Sequence, residues 1–381
     1  MMVDKGHQVT WWTSTFDHQS KSYIVDRDKT VSVKGGVEMI YLHSNIGYKK
    51  NVSIRRLLNH RFVAKKFEII SDTKSAPDLI YCSFPTIELS YAAVDYAKRN
   101  HIPIVVDTRD LWPDIFINPF PKLLHPFIKL ILNGYFKQTK YIFKKADGIT
   151  AVSLNYLNWS LIYGQRKRSL NDEVFPLAYN KYTDINKNYI LRDFVKLGVR
   201  PTKTIIWFVG TFGQTYDLKT IIQGARILEK HNTENIQFVF TGDGDNMRNW
   251  KKLAKGLQNV VFTGWANRHE LNYLSSIADI GLMSYSIGAP QGLPNKIFEY
   301  MSSGVPILSS LRGETKDFLE LNRIGLSYEP GSVESFLKKL KTLLKDEALR
   351  SDFGKSGKTL LENQFTSEIV YNNLIKYLEN I

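Results

Sequence analysis

The sequence is poor in cysteine: Cys82 is the single one among 381 residues. One cysteine cannot form an intrachain disulfide or a thiolate zinc cage, which excludes disulfide-stapled secreted domains and zinc ribbons. A reducing, cytoplasmic location fits this composition best. Long apolar runs are missing as well, because stretches such as LIYCSF and FIKLIL are short or interrupted by lysine. We therefore predict a soluble or peripheral protein.

Acidic residues are scarce relative to basic ones. The 51 Lys and Arg against 37 Asp and Glu give a formal net charge of +14. A surplus of this size attracts an anionic partner, such as nucleic acid, anionic lipid or a phosphorylated small molecule. Nucleic acid is the weakest of the three and is not expected as a partner, because the sequence has no zinc-finger spacing and no aromatic RNA-binding motif.

Apolar and β-branched runs alternate with helical patterns along the chain, which is typical of βα units around a parallel sheet. The first series is HQVTWWTS, VEMIYLHS, DLIYCSFP, IPIVVDTRDL and GITAVS. After a polar, basic stretch, the second series is TIIWFVGT, IQFVFTGDG, VVFTGW, DIGLMSYS and VPILSS. We predict an α/β protein with two Rossmann-like domains facing a cleft, residues 1–180 and 181–360, and a helix in residues 361–381 that packs back on the first domain.

The beginning of the sequence departs from this pattern. Residues 1–6, MMVDKG, resemble the last turn of a helix capped at Gly6, and a strand pattern follows at once. The first βα unit of the N-terminal domain is therefore expected to be missing. A late start of the reading frame, a truncated gene and a natural short form all remain open.

The stretch GAPQGLPNKIFEYMSSGVPILS, residues 288–309, is the densest in candidate chemistry. Asn295 is placed to cap a helix that runs from Lys296 to Ser303 and ends at Gly304. A helix N-terminus with a lysine can hold a diphosphate, and Glu299, one turn further in, can accept hydrogen bonds from ribose hydroxyls. The alternative is a surface helix with an ordinary Glu and Lys.

LPNKIFEYMSSGVPIL resembles the nucleotide-sugar motif of the retaining glycosyltransferases of family 4, which have the two-domain GT-B fold. Four segments occur in the family's order: FVGTFGQTYDL, FVFTGDGDN, VVFTGWANRHEL and SIADIGLMSYS. DTRDLWPD and TWWTSTFDHQ resemble the branch of bacterial surface polysaccharide biosynthesis (O-antigen, capsule, lipopolysaccharide) that includes N-acetyl-fucosamine transferases. The resemblance implies a hexosyltransferase that moves an N-acetylated or deoxy hexose, with retention, from a nucleotide-sugar to a lipid-linked or glycan acceptor.

The resemblance also implies a donor site. Glu299 matches the second glutamate of the family's two-glutamate motif, whereas Gln291 stands in place of the first. The family's arginine and lysine after the first strand of this domain are absent, since Thr211 and Tyr216 lie in that stretch. Lys296 and backbone N–H groups must therefore neutralise the diphosphate. The other donor-binding residues expected are Gly292, Leu293, Pro294, Asn295, Gly210, Gly213, Gly242, Trp265 and Ala266.

In the first domain, polar residues follow the strand pattern IPIVV. Arg109 could hold a phosphate or a sugar hydroxyl, and Asp110 could orient it or the acceptor hydroxyl. Together with Lys296, these two are the expected catalytic residues. Asp107, Asp17 and His18 are expected on the acceptor side. The alternatives are a buried structural Arg–Asp pair and, for Asp17 and His18, a solvated loop.

The segment Pro119–Ala146 contains six lysines and no acidic residue. On a helix over residues 126–145, the lysines Lys129, Lys137, Lys140 and Lys144 fall on one narrow arc. A basic amphipathic helix is typical of contact with an anionic membrane surface, so we predict a peripheral protein at the inner face of the cell membrane. A helix packed on the sheet, with its lysines in solvent, is equally compatible with the pattern.

The resemblance implies that no cofactor and no metal are required: the donor, most simply a UDP-sugar, is a co-substrate, and the acceptor is linked to a polyprenyl diphosphate. In the family, the donor's own phosphate is thought to take the acceptor proton. Two other classes stay open. One is an isomerase on the same fold, such as a nucleotide-sugar 2-epimerase, and the other is a non-catalytic sugar-nucleotide or membrane-binding protein.

Overall fold

A computed structural model describes residues 1–33, 35–50, 53–117, 120–180, 193–231 and 235–381. The chain divides into two compact units. Unit 1 is Met1–Pro176 with Tyr371–Ile381, and unit 2 is Leu177–Val370. None of the described helices is long and apolar enough to cross a bilayer.

Unit 1 contains nine described strands in two short parallel or mixed sheets and one hairpin. The strands are β1 Val9–Ser14, β2 Phe16–Asp17, β3 Ser22–Tyr23, β4 Lys29–Val33, β5 Val37–Leu42, β6 Ile80–Phe84, β7 Ile104–Thr108, β8 Gly148–Ala151 and β9 Asp172–Val174. The sheet β1-β5-β4 pairs β1 and β5 in parallel and β5 and β4 antiparallel. The second sheet, β6-β7-β8-β9, is all parallel, and β2 and β3 form the hairpin. The expectation of a preceding βα unit concerns residues outside this sequence, and it stays a prediction.

From β5 onward, helices alternate with the strands of unit 1 as the sequence predicted. Between β1 and β5 the prediction is wrong, because the described residues there form the hairpin β2-β3 and the antiparallel strand β4 and no helix. The helices of unit 1 are Ile54–Ser71, Ile87–Arg99, His125–Ile131, Asn133–Lys145 and Leu154–Gly164, with short 3-10 turns at Val3–Lys5, Asp114–Phe116 and Lys122–Leu124. Serine side chains begin two of them, because Ser53 accepts from the N–H of Arg56 and Ser153 from that of Tyr156. The last helix of the chain, Ser367–Leu378, contributes Leu374 and Leu378 to a core around Val105.

The continuous lysine-rich helix predicted over residues 126–145 is wrong. The chain forms two helices that meet at Leu132, which has φ −88° and ψ 8°. Asn133 and Gly134 follow the break, and both residue types have low helix propensity. Pro119, the first residue of the predicted basic segment, lies outside the described residues.

Unit 2 contains one six-stranded parallel sheet. Its strands are β10 Thr204–Val209, β11 Ile236–Thr241, β12 Val260–Gly264, β13 Ile280–Met283, β14 Ile307–Ser309 and β15 Gly325–Ser327, in the order β12-β11-β10-β13-β14-β15. Every residue of β11 is buried, as expected for a central strand covered on both faces. The order reverses between β10 and β13, which in such sheets marks the edge where ligands bind.

Helices cover both faces of this sheet. They are Leu218–Lys230, Met247–Leu253, Arg268–Ile277, Asn295–Ser303, Glu314–Leu321, Val333–Lys345 and Glu347–Leu360, followed by a π turn at Leu361–Phe365. Two hydrophobic clusters result: Trp207 and Tyr300 lie in one, and Phe208 and Phe240 lie in the other. Alternate residues of β10 thus point to opposite faces, which gives the sheet its two-sided core.

Candidate active site

Three glycines meet at the carboxyl edge of the unit 2 sheet. Gly210 follows β10 and donates its N–H to the carbonyl of Thr241 at 3.0 Å, and Gly242 follows β11 and donates to the carbonyl of Gly264 at 2.8 Å. Gly242 has φ 137°, and a Cβ there would collide with the carbonyl oxygen of Gly210. This close approach requires glycine and leaves the loop backbones uncovered by side chains.

The loop after Gly210 is fastened to the end of β13. Tyr216 and Tyr285 form an isolated antiparallel bridge, and the N–H of Ser286 donates to the carbonyl of Thr215 at 2.9 Å. The side chain of Asp217 then begins the next helix by accepting from the N–H of Thr220 at 3.1 Å. These contacts fix the ring of Tyr216 at the sheet edge.

The candidate donor helix begins one residue earlier than predicted, at Asn295, and ends at Ser303. Pro294 is the N-cap, and no side chain caps the helix, so the predicted capping role of Asn295 is wrong. The proline carbonyl accepts the first helical bond, from Ile297 at 3.1 Å, which moves Asn295 inside the first turn. Gly304 ends the helix with φ 68°, as expected.

Lys296 is buried, with 7% of its surface exposed. Its Nζ donates to the hydroxyl of Tyr216 at 2.7 Å and lies 3.9 Å from the centre of that ring. The rings of Phe208 and Tyr285 are 5.0 and 5.7 Å away, and a Cβ on Gly210 would collide with Nζ. Burial lowers the pKa of Lys296 to about 7. Among the described residues, no carboxylate lies within ion-pair distance of this amine, and aromatic rings surround it. An approaching anion would stabilise its charged form.

Glu299 lies one turn along the same helix. Burial raises its pKa to about 7, and the nearby charge of Lys296 opposes that rise. Removal from water thus destabilises the charged forms of both groups. A ligand with a diphosphate for Lys296 and a diol for Glu299 would stabilise the charge on each.

The residues of the loop before the helix have different environments. The Oε1 atom of Gln291 is buried and has no hydrogen-bond partner among the described residues. The carbonyl of Gly292 accepts from the hydroxyl of Thr315, and Leu293 packs against the unit 2 core. Gln291 is therefore the loop residue whose polar side chain is left over for a ligand, because a buried unpaired amide oxygen is costly.

A cleft of about 670 Å³ opens beside the glycine turn of β11, a volume that suits a nucleoside-sized ligand. Its lining consists of Asp243, Gly244, Asp245, Met247, Arg248 and Trp265. Trp265 is 76% exposed, whereas the neighbouring Ala266 is buried at 7%. Among the described residues, no three His, Cys, Asp or Glu side chains are grouped to hold a metal. Gly213, also expected in the donor site, lies in open space.

In unit 1, both carboxylate oxygens of Asp107 are bonded to other residues of the protein. Asp107 is 1% exposed, and its carboxylate accepts from the hydroxyl of Thr150 at 2.9 Å and from Nε of Arg109. This geometry favours the structural Arg–Asp pair that the sequence left open, because both oxygens of Asp107 already have partners. Arg109 keeps 39% of its side chain exposed.

Asp110 lies beside an arginine that the sequence analysis missed. Its carboxylate accepts from the N–H of Leu111 at 2.8 Å and from Nε1 of Trp112 at 3.2 Å, and burial raises its pKa. The guanidinium of Arg56 lies 4.7 Å from the Trp112 ring, and its charge partly offsets the rise in the pKa of Asp110. The available signal was the position of Arg56 in the first turn of a helix that follows a strand's carboxyl end.

His18 lies in the same cluster. Its Nδ1 is 3.0 Å from the hydroxyl of Tyr48 and 3.3 Å from Nζ of Lys21, and burial lowers its pKa. Asp17 instead accepts from the N–H groups of Gln19 and Ser20, and these bonds hold its pKa at about 2. The structure thus links His18 to the ring system near Asp110, while Asp17 stabilises its own turn.

Comparison with known proteins assigns the second half of the chain. Residues 190–360 match the family described as glycosyl transferases, group 1. The match confirms the expectation of a glycosyltransferase domain, and the matched residues include Gly210, Gly242, Lys296 and Glu299.

Several curated relatives carry transferase names, and two of them illustrate the match. The sulfoquinovosyl transferase SQD2 of Arabidopsis thaliana is 26% identical over 301 residues, covering 76% of this chain and 54% of the relative. The lipopolysaccharide core biosynthesis glycosyltransferase LpsE of Rhizobium meliloti is 24% identical over 248 residues, covering 64% and 66%. The chain thus spans about half to two thirds of the length of the curated relatives it matches.

Solved structures establish the fold. Sucrose-phosphate synthase from Thermosynechococcus elongatus matches with a TM-score of 0.73 at 16% identity, covering 100% of this chain and 90% of that one. HepE from Anabaena in complex with UDP matches with a TM-score of 0.64 at 14% identity, covering 91% and 86%. The predicted GT-B fold class is confirmed.

Proposed function

We propose that this chain transfers a hexosyl group from a UDP-sugar to a lipid-linked acceptor with retention of anomeric configuration. The observation that carries the proposal is the placement of Lys296 and Glu299 on one helical turn at the edge where the sheet order reverses. The glycosyl transferase match over residues 190–360 and the UDP complex of HepE support it.

The donor would bind along unit 2. Trp265, largely exposed at the cleft, offers a face on which a nucleobase can stack. Glu299 would accept from the ribose hydroxyls, and Lys296 would donate to the diphosphate. Gln291 can both donate to and accept from a sugar hydroxyl, which suits a neutral sugar better than a cationic one.

The reaction breaks the bond between the anomeric carbon and the diphosphate oxygen and forms one to the acceptor oxygen. The leaving nucleoside diphosphate keeps the bonding electron pair, and the acceptor proton passes to a phosphate oxygen. Negative charge grows on the diphosphate as the bond breaks, so a protonated Lys296 stabilises the transition state more than the ground state. The protein supplies position and charge, and no cofactor or metal enters this scheme.

The acceptor side belongs to unit 1 in this proposal. His18, Arg56 and Asp110 form a mixed polar cluster there, with Arg109 nearby in sequence. Relatives named for lipopolysaccharide core and capsular polysaccharide biosynthesis support a glycan acceptor. That this glycan is linked to a polyprenyl diphosphate is proposed from the sequence resemblance. Within that class, the sequence resemblance favours an N-acetylated or deoxy hexose as the transferred sugar. We also propose a peripheral location at the cytoplasmic face of the membrane, with the exposed lysines of the helix Asn133–Lys145 toward anionic lipid.

The test is transfer of labelled sugar from a panel of UDP-sugars into the lipid fraction of bacterial membranes. Glu299→Gln should reduce transfer and weaken UDP-glucose binding, whereas the matched change at Glu320, exposed on a neighbouring helix, should alter neither. A free, altered UDP-sugar with no labelled lipid would support the isomerase instead. Nucleotide binding with no turnover would support the non-catalytic alternative.

A further inference from the structure

Unit 1 exposes an unusual number of large apolar side chains in one short segment, residues 120–131, here called the apolar face. Leu123 is 91% exposed, Leu130 70%, Ile131 68% and Phe127 64%, with Phe120 at 47% and Leu124 at 46%. Single exposed apolar residues are common on protein surfaces, whereas a contiguous group of this size marks an interaction site.

The local structure puts these side chains on one side of the segment. A 3-10 turn at Lys122–Leu124 leads directly into the helix His125–Ile131, and the apolar residues recur at intervals of three or four. No residue of this helix is buried. The next helix, Asn133–Lys145, instead buries Thr139, Ile142 and Phe143. The second helix is therefore held by the core, while the first presents its apolar side outward.

The charges around the apolar face select the class of partner. Lys122 and Lys129 are exposed within the segment, and Lys137, Lys140 and Lys144 are exposed on the following helix. The sequence from residue 119 to 146 contains no Asp or Glu. A second copy of the chain on this face would bring lysines against lysines, which is unfavourable. An anionic bilayer offers acyl chains for the apolar side chains and negative headgroups for the lysines.

We propose that the apolar face inserts into the boundary between headgroups and acyl chains of an anionic bilayer, with Leu123, Phe127 and Leu130 as the inserted residues. This inference rests on the proposed function only in that a lipid-linked acceptor places the substrate at a bilayer. It differs from attachment by the lysine helix alone, because apolar insertion survives salt that screens surface charge. The lysines select the lipid, and the apolar side chains retain the protein.

The test is flotation of the full chain with vesicles of phosphatidylcholine containing roughly 30% phosphatidylglycerol, at low salt and at about 0.5 M NaCl. We expect binding that weakens at high salt without vanishing. Leu123→Asp combined with Leu130→Asp should lower the vesicle partition coefficient by about tenfold or more, because two inserted side chains become charged. The matched control is Ile162→Asp with Leu170→Asp, which are also exposed in unit 1, at 74% and 100%; it should bind like the wild type.

A second readout reports insertion directly. Phe127→Trp should add fluorescence that brominated lipids quench beyond the wild-type background. The proposal would be overturned if the double variant Leu123→Asp, Leu130→Asp bound vesicles like the wild type. Full release of the wild type at high salt, or no additional quenching in Phe127→Trp, would overturn it as well. So would concentration-dependent self-association that the double variant abolishes, since a second copy would then occupy the face. Binding of UDP and of the UDP-sugar panel, measured in parallel, separates the two claims: absence of all such binding refutes the proposed function, whereas failure with vesicles alone refutes only the insertion.

Discussion

Donor binding by this protein should take up a proton above about pH 7, because Lys296 is buried among aromatic rings and its pKa is lowered to about 7. Its charged neighbour Glu299, whose pKa burial raises to about 7, should release a proton on binding below that pH. Burial lowers the pKa of Lys296 from 10.5 to about 7, and the charge of Glu299 opposes that change. A diphosphate next to Nζ restores the charge and raises that pKa again. Since the bound state holds the proton more tightly than the free state, affinity must fall as the pH rises above the free-state value.

The slope of affinity against pH follows from the one proton that Lys296 takes up on binding. Above about pH 7, each further pH unit leaves about one tenth as much protonated Lys296 in the free protein, so the dissociation constant for UDP-glucose should rise about tenfold per unit. Tyr216 adds a finer test. Its hydroxyl accepts from the lysine at 2.7 Å, and burial raises the pKa of the phenol, so it stays neutral. Tyr216→Phe removes that acceptor, and the loss of affinity should begin at lower pH.

The assay is calorimetric titration of UDP-glucose from about pH 7.5 to 8.5, where Glu299 is already mostly ionised, repeated in buffers of different ionisation enthalpy so that proton uptake is counted. The diphosphate diester of the ligand does not titrate in this range. Lys296→Met should bind weakly and without the alkaline loss. An affinity that is flat over the range, with no proton uptake, would refute the claim that Lys296 meets the diphosphate.

Three further substitutions test residues of the candidate donor site in unit 2 and the candidate acceptor site in unit 1. Gly242→Ala forces a side chain against the carbonyl of Gly210 at φ 137°, so it should lower the free energy of unfolding by at least about 1 kcal/mol in urea titrations; unchanged stability would contradict the close approach. Trp265→Ala should weaken UDP-glucose binding by about 1–3 kcal/mol, because it removes the stacking face, while stability stays within about 0.5 kcal/mol since the side chain is 76% exposed. Asp107→Asn breaks the pair with Arg109 and should cost about 1–3 kcal/mol of stability in thermal melts, whereas a melt like that of the wild type would return Asp107 to the acceptor site.

Much of the donor helix was predictable from local signals. The pattern of residues 295–304 combines an uninterrupted helical stretch with a glycine that tolerates a left-handed conformation, and both ends depend on neighbours in sequence. The exception is the cap: Asn295 has a good capping side chain, but Pro294 before it takes the N-cap position and carries the first carbonyl of the helix.

The lysine-rich segment shows the limit of periodicity. A single helix over residues 126–145 satisfies the pattern, yet a break at Leu132 gives two helices with different environments. Helical spacing alone does not indicate whether an apolar side chain packs against the core or stays exposed. Ile142 is fully buried in the core, whereas Leu130 is 70% exposed.

The sequence by itself indicated the α/β class, most of the alternation of strands and helices, and Lys296 and Glu299 as candidates, because these depend on residue type and short spacing. Only the tertiary structure decided what surrounds each charge. The hydroxyl of Tyr216 accepts a hydrogen bond from Lys296, which is 80 residues away in sequence. The guanidinium of Arg56 lies over the ring of Trp112, which is also distant in sequence. Burial and long-range contact set a pKa and the presence of a counter-ion, and neither is encoded in the neighbours along the chain.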